Sequence, residues 1–247
     1  GDIRNFGKLK IKNIDTIIHL ANIANDPTVE LNPNLSWETN VLASKIIAEH
    51  AIKNKVKKII FFSSGSVYGL KKEKKVTEDL KLNPISVYNK TKMIAERVFL
   101  SYKNNIDIKC LRPATVCGFS NRLRLDVTVN ILTYQAYKNK LITVFGGKQI
   151  RPNIHISDMA GIYLFLLKNK KIEGIFNAGF ENISILRIAE MVTKYLPVKI
   201  EITESSDLRS YRVNSEKVLS TGFRPKKGVE DAIQEIIESY NSGILKD

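Results

Sequence analysis

The feature that most limits what this chain can fold into is an alternation of short apolar strands with amphipathic helices. Val56-Lys57-Lys58-Ile59-Ile60-Phe61-Phe62 is the β-branched and aromatic run of a buried strand, and it stops abruptly in Ser63-Ser64-Gly65-Ser66. Before it, residues 14–21 read as a strand, 22–27 as a loop, and 36–54 as a long helix with Val41, Leu42, Ile46, Ile47 and Ala51 as its buried stripe. After it, apolar residues recur at helical spacing from Ile85 to Phe99, uninterrupted by Gly or Pro, and residues 106–112 form the next strand. Strand, helix and strand in this order argue a parallel sheet.

Within the second helix Tyr88 and Lys92 stand four residues apart, so both project from one face. A nearby ammonium favours a phenolate, which makes Tyr88 a proton-transfer residue in waiting. Tyr and Lys at this spacing also occur on ordinary solvated faces, so the pair gains meaning from the serines. In an open parallel sheet ligands bind beyond the carboxyl ends of the strands, where Ser63, Ser64 and Ser66 are placed. Ser64 is then expected to hold the substrate oxygen whose proton Tyr88 moves.

The 247 residues and a hydrophobic fraction of 43% suit a globular protein with a sizeable core. Lys plus Arg exceed Asp plus Glu by 39 to 25, a net +14. That excess raises nucleic acid as a partner. Yet the lysines are scattered, and the densest group, Lys71-Lys72-Glu73-Lys74-Lys75, has no interleaved aromatic, so it reads as solvated surface. Cys110 and Cys117 make no disulfide framework or metal spacing, and with three scattered histidines no metal site is expected. No run approaches the ~18 apolar residues of a membrane span, and no signal peptide opens the chain. The expectation is a cytoplasmic protein without nucleic-acid or membrane partners.

Ile17-Ile18-His19-Leu20-Ala21, Asn40-Val41, Ser63 to Gly69, Tyr88 to Lys92, Leu111-Arg112-Pro113-Ala114-Thr115-Val116-Cys117-Gly118 and Gln149 to Asp158 occur in order along the chain. Together they resemble the extended short-chain dehydrogenase/reductases of the NAD-dependent epimerase/dehydratase group, which act on nucleotide sugars. The resemblance implies an α/β fold, with a Rossmann-like parallel sheet over residues 1–112 and a smaller α+β substrate lobe mainly over 113–247, elements being exchanged between the two. It implies Ser64, Tyr88 and Lys92 as catalytic residues, and Asp2, Ile3, Leu20, Ala21, Asn40, Ser63, Tyr88, Lys92 and Pro113 as cofactor contacts. Ser64, Ser66, Asn130, Arg151, Asn177 and Arg209 would bind a nucleotide-diphosphate sugar, the arginines through their phosphate-matching forks. Family members commonly form homodimers through the Tyr88 helix and the one before it. Cys117, where the family usually has Tyr or Phe, reads as packing rather than as a reactive thiol.

Two departures shape the expectation. No glycine-rich turn occurs in these residues, and Gly1-Asp2-Ile3-Arg4 resembles the family segment after the third strand, so the chain reads as a fragment of a longer protein. The residue choosing between NAD and NADP belongs to that same region; NAD is expected and NADP left open. Gly65 and Ser66 stand where sugar 4,6-dehydratases of this family carry an acidic pair, which disfavours dehydration and leaves an epimerase or C4-dehydrogenase. Phe119 to Asn130 resembles a motif, with Asn121 replacing its usual Pro, of a branch whose members are said to oxidise C4 of a GDP-heptose for surface polysaccharides. A non-catalytic nucleotide-binding scaffold is the alternative, against which the intact Ser64, Tyr88 and Lys92 argue. Asp158 is expected to cap a helix over 158–167, and 184–196 to form an amphipathic helix with Ile185, Ile188, Met191, Val192 and Tyr195 inward.

Overall fold

A computed structural model of the chain describes residues 1–169, 172–205 and 210–245. From the amino end run a 3₁₀ turn (Ile3–Lys8), β1 (Thr16–His19), α1 (Asp26–Leu31), α2 (Pro33–Trp37), a π-helical segment (Glu38–Leu42), α3 (Ala43–Lys53), β2 (Lys58–Phe62) and a 3₁₀ turn (Gly65–Tyr68). Next come α4 (Val87–Ser101), β3 (Asp107–Pro113), β4 (Thr115–Cys117), α5 (Thr128–Asn139), β5 (Leu141–Phe145), β6 (Ile150–His155) and α6 (Ile156–Lys168). The chain ends through β7 (Gly174–Ala178), β8 (Glu181–Ser184), α7 (Ile185–Thr193), β9 (Lys199–Thr203), α8 (Glu216–Ser220) and α9 (Val229–Asn241). No helix among the described residues is long and apolar enough to cross a membrane.

The chain divides into two compact units, each assembled from several stretches of sequence. The first comprises Gly1–Gly69, Glu78–Pro113 and Tyr163–Asn177; the second comprises Leu70–Thr77, Ala114–Ile162 and Ala178–Asp247.

The first unit is built on a sheet of order β1-β2-β3-β7, with β1, β2 and β3 parallel. The strands are near-continuous apolar runs because helices cover them, and Ile47, Ala51, Ile59, Phe99 and Ile108 are buried in one core. Register sets His19 beside Phe61 and Phe61 beside Cys110, one row across three strands. Lys58, mid-core in the sequence pattern, is buried but sends its ammonium to the carbonyls of Leu166 and Leu167, 3.3 and 3.1 Å away at the end of α6. A cation there meets the negative end of the helix dipole.

The expected helix over 36–54 is continuous with α2 and contains the π-helical segment Glu38–Leu42. One wide turn shifts the phase of the apolar stripe. Leu42, expected inside, is 57% exposed, while Val41, Ile47 and Ala51 are buried.

In the second unit β6 is the centre of a sheet of order β4-β6-β8, parallel to β4 and antiparallel to β8, and β5 pairs in parallel with β9. Val129, Leu132, Ile142, Ile188, Val192 and Ile233 pack a core among α5, α7, α9 and β5. Asp158 does not cap a helix. The helix starts two residues earlier, at Ile156, and the Asp158 carboxylate accepts the backbone N–H groups of Lys226 (2.9 and 3.0 Å) and Lys227 (2.9 Å) instead. Tyr195, beyond the end of α7, is exposed and donates to Glu230 at 2.7 Å. Cys117 is buried in this core, and burial pushes its thiol up to about 12, where it is no nucleophile near neutral pH.

Candidate active site

The three residues expected to be catalytic all belong to the first unit. Ser86 caps α4, its hydroxyl accepting from the Asn89 N–H at 3.2 Å, and this fixes the start of the helix so that Tyr88 falls in its first turn. Tyr88 is half-buried. One turn on, Lys92 is 1% exposed, and its ammonium donates to the carbonyl of Phe62, the last residue of β2. It also lies 4.7 Å from the Phe61 ring centre and 5.5 Å from that of Phe62. The lysine thus fastens the Tyr88 helix to the strand end from which the serines emerge.

Burial lowers the Lys92 pKa to about 7 from its ordinary value near 10.5. Cys110 and Glu96 are the neighbours that would oppose this. The Cys110 thiol, itself pushed well up by burial and by Glu96, is neutral at physiological pH, which leaves Glu96 as the charge that supports the ammonium. Burial, together with Lys92, lowers His19 to about 4, so the imidazole stacked on Phe61 is neutral.

Ser64 and Ser66 are half-buried, with their hydroxyl oxygens 2.7 Å apart, and Ser64 caps the 3₁₀ turn by accepting from the Ser66 N–H at 3.2 Å. The turn ends at Gly69, whose φ is 66° and where a Cβ would sit 2.0 Å from the carbonyl oxygen of Asn83; only glycine fits. Ser63 is buried, its N–H on the Leu111 carbonyl at 2.7 Å and its hydroxyl without a partner in the described residues. Pro113, at the end of β3, is also buried.

Of the other expected cofactor contacts, Leu20 (51% exposed) and Ala21 lie open just past β1. Asp2 is exposed and caps the first 3₁₀ turn. Its carboxylate is gripped by Arg4 at 2.6 to 3.2 Å, which holds its pKa down at about 2. Ile3 packs against the core beside it.

Three asparagines expected at the cofactor or substrate also carry hydrogen bonds within the protein. Asn40 is buried within the π-helical segment; its oxygen accepts from the Ile23 N–H (2.8 Å), and its nitrogen donates to the Ile23 carbonyl (3.0 Å) and the Thr91 hydroxyl (3.1 Å). It ties the loop after β1 to the Tyr88 helix. Asn177, completely buried, accepts from the Tyr68 hydroxyl at 2.7 Å. Asn130, in the second unit and 3% exposed, bridges the Gly118 N–H (3.1 Å) and the Arg124 carbonyl (3.0 Å). Each amide thus ties two segments of its own unit together. Arg151, half-buried on β6, is in the second unit, and Arg209 lies outside the described residues.

Sequence reading missed the charged pair beneath these residues. Arg112 on β3 grips both oxygens of Glu96 on α4, at 3.0 and 2.5 Å, and all of it is buried. The same guanidinium donates to the Tyr68 hydroxyl (2.8 Å) and the Glu78 carbonyl (3.1 Å), and Glu78 in turn accepts the Asn177 N–H at 2.7 Å. The available signal was the spacing of Glu96, one turn past Lys92 on the same helix face.

The sequence matches the NAD dependent epimerase/dehydratase family over residues 2–179. A UDP-glucose 4-epimerase from Lactobacillus helveticus is 26% identical over 252 residues, covering 91% of this chain and 76% of that one. An uncharacterized UDP-glucose epimerase, YtcB, from Bacillus subtilis is 33% identical over 195 residues, covering 74% of this chain and 58% of its own. Among solved structures, MoeE5 in complex with UDP-glucuronic acid and NAD superposes with a TM-score of 0.87 at 23% identity, over 98% of this chain and 85% of that one. The family match spans well over half of the chain, and the chain belongs to the NAD-dependent epimerase/dehydratase family.

Proposed function

We propose that this protein transfers hydride between NAD and C4 of a nucleotide-linked hexose or heptose, as an epimerase or C4-dehydrogenase serving surface-polysaccharide synthesis. The observation that carries the reading is Lys92, fully buried one turn from Tyr88 and fastened to the carbonyl two residues before Ser64. A lysine is left in such a place at a cost in stability, which a binding scaffold has no reason to bear.

Leu20 and Ala21, open at the end of β1, and Asp2, an exposed and firmly ionised acceptor, suit a dinucleotide with a flat apolar ring and an exocyclic amine. The cofactor would supply the hydride acceptor. The chain's own part is proton handling: Ser64 holds the C4 oxygen, Tyr88 takes its proton, and the Lys92 ammonium favours the phenolate as that proton moves. Gly65 and Ser66 offer no acid or base for eliminating water, which supports epimerisation or oxidation over dehydration. The names of the relatives make UDP-glucose and UDP-galactose the first substrates to test, and the Phe119 to Asn130 motif makes a GDP-heptose the next. The exposed Trp37 and Leu42 on the helix before α4 support a homodimer through that helix and α4, which sedimentation would read directly.

In the full-length protein Tyr88→Phe is expected to lower kcat by about 10²- to 10⁴-fold while leaving NAD affinity, measured by calorimetry, largely intact. Unchanged turnover would remove Tyr88 from the mechanism.

A further inference from the structure

Lys92 and Glu96 share one face of α4, a turn apart, and both are 1% exposed. Left alone, they would pair. A direct contact between opposite charges about 4 Å apart favours the ammonium by roughly a thousandfold at the effective dielectric of protein sites, enough to fix the lysine in its charged form. The structure avoids this contact. Both Glu96 oxygens are held in the Arg112 fork, and Arg112 is fixed in turn by the Tyr68 hydroxyl, the Glu78 carbonyl and the Tyr68 ring 5.0 Å away. Lys92 is left with a neutral carbonyl and two aromatic faces.

The other titratable groups around it are quiet. His19 on β1 is neutral, Cys110 on β3 is protonated, and Tyr68 beside the Arg112 fork is held in its neutral form by burial. Of the segments packed against α4, the π-helical one carries Glu38, bound to Arg4, and α1 carries Asp26 and Glu30; α3 carries Lys45 beside Glu49, His50 against the Leu9 carbonyl, and Lys53, and β3 carries Asp107 paired with Lys109. Glu78 reaches the network through the Asn177 N–H.

We propose that Glu96 and Arg112 are positioning residues for the Tyr88–Lys92 couple: the arginine clamps the buried carboxylate away from the lysine, leaving the ammonium free to exchange its proton during turnover. The inference rests on the reading of Tyr88 and Lys92 as the proton-handling pair. Burial, only partly opposed by Cys110 and Glu96, then holds Lys92 at about 7, within reach of the pH at which the enzyme works.

The test is a ¹³C NMR titration of the protein labelled at lysine Cε, with the Lys92 signal assigned by its loss in Lys92→Met. Glu96→Gln leaves the Arg112 charge unbalanced, and the Lys92 midpoint should fall by about one pH unit or more. Glu96→Gln with Arg112→Gln removes both charges, and the midpoint should return to near the parent value. Arg112→Lys keeps the charge but loses the fork, releasing one carboxylate oxygen toward Lys92, and the midpoint should rise. A purely structural pair would lower Tm in these variants and leave the midpoint in place; that result, in Glu96→Gln and Arg112→Lys alike, would overturn the proposal. The outcome is separable from that of Tyr88→Phe: midpoints that move while Tyr88→Phe stays active would retain the electrostatics and refute the catalytic reading on which the inference depends.

Discussion

The two units bury polar side chains in different ways. The first buries full charges: Lys58, Lys92, Glu96, Lys109 and Arg112 are all at most 7% exposed. The second buries mainly amides and hydroxyls, such as Asn130, Thr133, Asn153 and Ser215, with Asp158 and His155. Charges in a low-dielectric core act on one another's proton equilibria over several ångströms, whereas amides act only on what they touch. One unit is therefore arranged to set electrostatics, the other to hold loops in place.

Arg112→Met would break the contrast most severely. It leaves Glu96 buried and unpaired, and the expected loss, read by urea unfolding, is about 3–5 kcal/mol. Lys92→Met sharpens it. Since the folded pKa of Lys92 lies near 7 and the unfolded one near 10.5, the unfolded chain binds the extra proton between those values. Stability attributable to this group should rise with pH across that window by a few kcal/mol, and the difference between parent and variant should shrink toward pH 10. A difference independent of pH would mean that folded Lys92 keeps its ordinary pKa and stays protonated across that window.

In the second unit Asp158→Ala removes the acceptor of two backbone N–H groups ahead of α9, and about 2 kcal/mol of stability is expected to go with it. Asn130→Ala should cost about 1 kcal/mol, with no movement of any pH midpoint. A shifted midpoint there would erase the distinction between the units.

Much of the fold was legible because strands and helices write their burial into the sequence. Lys58–Phe62 and Asp107–Pro113 were read to within a few residues. The short helix α1 escaped because Asn25-Asp26-Pro27 looks like a turn and one buried residue, Val29, makes no periodic stripe. Ser64, Tyr88 and Lys92 could be found as local patterns around one strand end. The partners of the asparagines, backbone groups and the Tyr68 and Thr91 hydroxyls, lie elsewhere in the sequence and leave no trace in residue identity: Asn130 and Asn177 look the same whether they face a phosphate or a neighbouring segment. Asp158 was misread for the same reason, its partners lying 68 and 69 residues away. Arg112 and Glu96 were visible only as members of a strand and a helix, since pairing across a sheet and its covering helix depends on register that neither element carries alone.

The π-helical segment gives the first unit a constraint of a different kind. A helix is a screw, and one surplus residue in a single turn advances its thread by about 100°. That offset lets Asn40 reach Ile23 while α3 keeps Ile47 and Ala51 against the sheet. Deleting any one residue between Glu38 and Leu42 would relax the wide turn into ordinary helix, and the local backbone would be the better for it. Everything upstream would then be rotated out of step. In this stretch the chain is thus expected to tolerate changes of residue identity more readily than a change in count, a rule written in arithmetic rather than in chemistry.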